Sequence, residues 1–141
     1  MRRWLRQHPL IYLWLPVGAW MGLIFYLSAQ PDFPSPDSDV LQDLLGIGAH
    51  MFLFAVLAIL WARALRSTAR PVLLAFVLTL AYAFADEFHQ MFVPGRTADP
   101  LDLVWDGLGA ALGLGVWLLW QNWRTGRDQA LPVAVDADRG Q

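Results

Sequence analysis

Residues 82–106 read YAFADEFHQMFVPGRTADPLDLVWD and join two apolar runs across the short Pro94-Gly95-Arg96 link. Asp86, Glu87, His89 and Gln90 stand near the end of the first run, and Asp102 and Asp106 near the start of the second. An ionisable side chain in lipid costs about 3 kcal/mol on insertion scales, so such groups mark function or pair with one another. The rest of the chain is apolar or connecting. This corner is therefore where a site is expected.

Working outward, the 141 residues are 57% hydrophobic and include eight Trp, too apolar for an ordinary soluble domain and typical of a small polytopic membrane protein. One domain is expected. The absence of Cys excludes disulfides, thiol nucleophiles and thiolate metal sites. All ten basic residues are Arg, and the net charge of −2 matters less than where those residues fall. The bilayer is the expected partner, and no nucleic acid is.

Four apolar runs follow in order. Arg2, Arg3 and Arg6 precede Leu10–Leu27, whose length exceeds a signal-peptide core and predicts a retained first membrane helix, with Pro16 kinking it or lying near its start. Gly18 and Gly22 form a small-xxx-small pair suited to close helix packing. Ser28 to Asp43 holds three Pro and four Asp and reads as an acidic loop. The second run, Leu44–Leu65, carries His50 in its early turns and ends in a basic link with Arg63, Arg66 and Arg70. Pro71 opens the third run, which continues to about Phe92.

Asp99-Pro100 has the pattern of an N-cap followed by a first-turn proline. The fourth run goes from Leu101 to about Trp120, and Gly107, Gly109, Gly113 and Gly115 give it a smooth face for a neighbouring backbone. Residues 1–123 are thus expected to form an all-α bundle of four transmembrane helices, and residues 124–141 a polar, disordered cytoplasmic tail. Trp4, Trp105, Trp120 and Trp123 are placed as interface anchors.

Nine Arg fall at the N-terminus, the second link and the C-terminal segment, which share one side in a four-span chain. The positive-inside rule makes that side cytoplasmic, with both termini in, and turns the first and third links outward. Asp86, His50 and Asp106 then lie about 8 to 9 Å inside the outer boundary. On helical spacing Asp86, Glu87, His89 and Gln90 span an arc of about 160°, and Asp99, Asp102 and Asp106 about 60°. Because the short link makes these helices antiparallel neighbours, the two arcs are expected to face each other as an outward-opening polar pocket.

The stretch AYAFADEFHQMFVPGR at 81–96, followed by Asp102, the acid at 106, Gly107 and Gly109, resembles the VanZ-like family of small bacterial membrane proteins. Ser28, Gln30 and His50-Met51-Phe52 add to the likeness, which covers nearly all of the chain except the tail. One departure is Gly46-Ile47-Gly48, where the family often carries a Lys a turn before the His. The resemblance implies a place in the bacterial cytoplasmic membrane and a link to the cell envelope and to teicoplanin-type glycopeptide resistance.

Candidate roles follow from side-chain chemistry. Asp86, Glu87, His89 and Asp106 are candidates for acid/base work, and His50, Gln90, Arg96, Asp102, Ser28 and Gln30 for ligand binding. A divalent metal is a possible cofactor, with His50, Asp86 and His89 as its candidate ligands, since imidazole and carboxylate suit Zn, Mn or Fe. Four functions stay open: recognition of a lipid-linked envelope precursor or phospholipid headgroup, hydrolysis or transfer on an envelope lipid, proton-coupled transport, and a purely structural partner role. Against transport, the cytoplasmic halves of the four runs offer no polar path.

Overall fold

The computed structural model describes residues 9–30, 39–96 and 98–129. They form four helices: α1 (Pro9–Ser28), α2 (Asp39–Ala64), α3 (Pro71–Gln90) and α4 (Pro100–Gln129), with no strand among the described residues. All four are long and apolar enough to cross a membrane. Three boundaries differ from the sequence expectation by more than one residue. α2 starts at Asp39, so the last residues of the expected acidic loop are already helical. α3 ends at Gln90, short of Phe92. α4 runs to Gln129, so residues 124–129 continue the helix rather than open the tail. The basic N-terminus with Trp4, residues 31–38 of the first link and residues 130–141 lie outside the described residues.

Local chemistry explains the corner between α3 and α4. The Arg96 amide donates to the Val93 carbonyl at 3.2 Å across Pro94 and Gly95, and Gly95 has φ of 83°. Proline in the second position and a positive-φ glycine in the third define a type II turn. The Leu101 amide then donates to Asp99 Oδ1 at 2.9 Å, so Asp99 caps α4 ahead of Pro100, as its pattern predicts. Two turn devices in nine residues reverse the chain and set α4 antiparallel to α3.

The most extensive helix packing is between α2 and α4. A methyl group added at Gly113 would stand 2.5 Å from the Ala55 carbonyl oxygen, and one at Gly109 2.6 Å from Met51 Cα, so only glycine permits this approach. Six of the eleven buried apolar residues among those described are alanine. Small side chains suit a membrane bundle, where lipid competes for apolar contact and close backbone approach supplies the attraction. A methyl group added at Gly18 or Gly22, by contrast, would meet no other part of the described bundle within 4 Å. That pair seats no neighbour among the described residues.

α1 is held differently. Trp20 Nε1 donates to the Leu53 carbonyl at 2.9 Å, and the Tyr82 hydroxyl donates to the Met21 carbonyl at 2.6 Å. Pro16 lies inside α1 and, lacking an N–H, leaves the Tyr12 carbonyl without its helical donor. The Arg63 guanidinium donates to that carbonyl at 3.1 Å and stacks over the Tyr12 ring at 4.3 Å. A proline defect in one helix is thereby satisfied by the next. Outside this small core, Phe84, Phe88, Leu112, Val116 and many other large apolar side chains are exposed, as a lipid-facing surface requires.

Candidate functional site

On α3 the buried positions are Ala75, Thr79, Ala83, Asp86 and Gln90, a single helical stripe. On α4 the spacing of Asp102, Asp106, Gly109 and Gly113 traces another. Each stripe is small toward the Arg63 end of the bundle and polar toward the Gln90 end. Close packing along the small half therefore turns the polar half inward, away from the lipid that would be costly for it.

The α4 acids meet α2. His50 Nδ1 lies 3.0 Å from Asp106 Oδ1, and His50 Nε2 lies 3.6 Å from Asp102 Oδ2. The first is a hydrogen bond; the second is a charge contact too long to be one. Asp106 is 3% exposed and is buried by the same seam that buries Gly109. Packing Gly109 on Met51 brings the preceding residue, His50, to Asp106. The two polar arcs were expected to face each other; Glu87 of α3 does have Asp102 and Asp106 among its charged neighbours, and the arc of α4 is also met by a histidine of α2. The continuous stripe 102, 106, 109, 113 was the available signal, because whichever helix sits on the glycines also meets the acids.

The α3 polar groups divide between two neighbours. Gln90 Nε2 donates to Ser28 Oγ at 2.9 Å and to Asp86 Oδ2 at 3.3 Å, joining the end of α1 to α3. Ser28, Asp86 and Gln90 are all buried. The His89 ring stacks on Phe25 of α1, centroids 4.4 Å apart and planes 25° apart. Glu87 has Asp102, His50 and Asp106 among its charged neighbours, and His50 and Asp106 also neighbour Asp86. All four helices thus contribute to one polar cluster. Gln30 does not join it: its amide donates back to the Tyr26 carbonyl at 3.1 Å at the exposed end of α1. Arg96 sits half-buried in the link.

Three buried atoms of the cluster have no hydrogen-bond partner among the described residues: Asp86 Oδ1, Glu87 Oε1 and His89 Nε2. Buried polar atoms are ordinarily paired, because an unmade bond forfeits about 1 to 3 kcal/mol. All three belong to candidate residues of α3. The metal candidates fit less well. His50 has both ring nitrogens turned to carboxylates, His89 is stacked on α1, and no group of three or more His, Asp or Glu among the described residues is placed to hold a metal ion.

Sequence reasoning missed the polar contacts outside the cluster, those of Trp20, Tyr82 and Arg63. The orphaned carbonyl four residues before Pro16 was a signal for the last; nothing local marked the others.

The fold defines a small multi-pass helical membrane protein with an acid-histidine cluster at one end of its bundle. The chain belongs to the VanZ/LLP1 family, which it matches over residues 13–121, from within α1 to within α4. No curated protein and no solved structure matches it.

Proposed function

We propose that the polar cluster is a recognition site for a lipid-linked component of the bacterial cell envelope or for a lipid headgroup. The protein would sit in the cytoplasmic membrane with both termini inside and the cluster in the outer half, because five of the six described Arg, at 63, 66, 70, 124 and 127, fall at the other end of the bundle. The observation that carries the reading is the combination of enclosure and incomplete pairing. Four helices converge on one polar layer, and Asp86, Glu87 and His89 keep buried atoms without partners. A polar ligand entering between helix ends would supply the missing bonds.

The test is lipid analysis of the full chain purified gently from its membrane, wild type beside Glu87→Gln and His89→Ala. One lipid class enriched over the bulk membrane, and released in both variants, supports the reading. Lipids in membrane proportion for all three proteins sink it. A role in glycopeptide resistance, which the family resemblance implies, would show as a change in teicoplanin susceptibility on expression.

One observation favours a second reading, a hydrolase or transferase acting on an envelope lipid. Asp106 holds His50 Nδ1 and so orients the ring, leaving Nε2 beside Asp102, an arrangement suited to a general base. This reading predicts that His50→Ala abolishes turnover while His50 and Asp106 variants still retain lipid.

A further inference from the structure

The unpaired atoms of α3 differ in what they can accept, and that difference narrows the ligand. Asp86 is 5% exposed, its Oδ2 already accepts from Gln90, and the Ser28 hydroxyl, held by the same Gln90, is a second hydrogen-bond partner of this carboxylate. Its Oδ1 is buried without a donor, as is Glu87 Oε1. A carboxylate oxygen can only accept, so the missing partner at both places carries N–H or O–H groups. The cluster also holds Asp102 and Asp106, and His50 is already engaged by them. An anionic group placed against Asp86 would meet like charge in a low dielectric, whereas a cation would relieve it.

We infer that Asp86, with Glu87 beside it, binds a primary ammonium group carried on a lipid headgroup. This rests on the headgroup reading of the same site. Three N–H donors suit acceptors that belong to two neighbouring side chains, and a trimethylammonium group, which has no N–H, cannot replace them. A lipid is the favoured carrier because Asp86 and Glu87 lie in the last turn or so of the candidate span Pro71–Gln90, about 6 Å from its end, within reach of a headgroup. The phosphate of such a headgroup would lie nearer the link, away from the carboxylates.

The experiment places the full chain in nanodiscs of phosphatidylglycerol containing equal small fractions of phosphatidylethanolamine and phosphatidylcholine, and measures retained lipids by native mass spectrometry. Wild type is expected to retain the ethanolamine lipid about tenfold over the choline lipid, the discrimination one charge-assisted hydrogen bond supports. In Asp86→Asn, which keeps an acceptor for Gln90, the preference should fall to near unity. Equal retention of the ethanolamine and choline lipids by wild type overturns the inference without reference to any variant. If phosphatidylglycerol is retained selectively, the headgroup reading stands and the ammonium does not. If no headgroup is preferred, both fall. A parallel arm adds soluble ethanolamine to the mixed nanodiscs. Displacement of the ethanolamine lipid at an equal concentration of this soluble amine overturns the lipid as carrier, and its failure to compete supports it.

Discussion

α4 and α1 both pack on α2, and they do so by opposite means. α4 is seated backbone to backbone at Gly109 and Gly113, and its polar extension ends in a paired His50–Asp106 contact. α1 touches its neighbours less and is tied to them by side chains of Trp20, Tyr82 and Arg63 that reach backbone carbonyls. Its polar end meets His89 through Phe25 and, through Ser28, Gln90, the partner of Asp86; His89 and Asp86 each keep an unpaired atom. The contrast separates two uses of intramembrane polarity. Where backbones interlock, the polar residues complete one another; where side chains do the joining, acceptors are left over for something else.

The largest test of that contrast is steric. Gly113→Leu would drive a side chain into the Ala55 backbone, costing about 3 kcal/mol or more, with loss of the monodisperse folded peak on size exclusion in detergent. Gly22→Leu, with nothing within 4 Å, should stay within about 0.5 kcal/mol of wild type in the same assay. Equal damage from both would break the distinction.

Next in size is Asp106→Ala, which strips His50 Nδ1 of its partner inside the seam. A loss of about 2 kcal/mol is expected from unfolding in mixed micelles of rising SDS fraction followed by circular dichroism. Asp102→Ala, 3.6 Å from the ring and partly exposed, should cost under about 0.5 kcal/mol. Smaller again is Tyr82→Phe, which removes one bond to Met21; interhelical hydrogen bonds in membranes average about 0.6 kcal/mol, and the same titration should report a shift of that order. Asp86→Asn should move stability least, within about 0.5 kcal/mol, while changing which lipid is retained. Loss of stability without loss of lipid preference there would assign Asp86 to packing.

Much of the fold was legible because its causes are local. The Pro94-Gly95 turn and the Asp99-Pro100 cap each depend on neighbouring backbone geometry, and four apolar runs of membrane length mean four helices wherever water is excluded. The candidate residues were legible as polar groups out of place in apolar runs. Their partners were not: His50 was separated from Asp106 by 56 positions, and Ser28 from Gln90 by 62. Gln30, beside Ser28 in sequence, turns back on its own helix.

By itself, then, the sequence determined the four helices, their turns, the end of the bundle that is polar and the types of group gathered there, because periodicity, capping and hydropathy act over a few residues. Only the tertiary structure decided that Gly109 and Gly113 make contact while Gly18 and Gly22 do not, that His50 goes to Asp106, and that Asp86 keeps a bare oxygen. Those outcomes depend on which helix faces are brought within a few ångströms, and that choice is made by packing across the bundle.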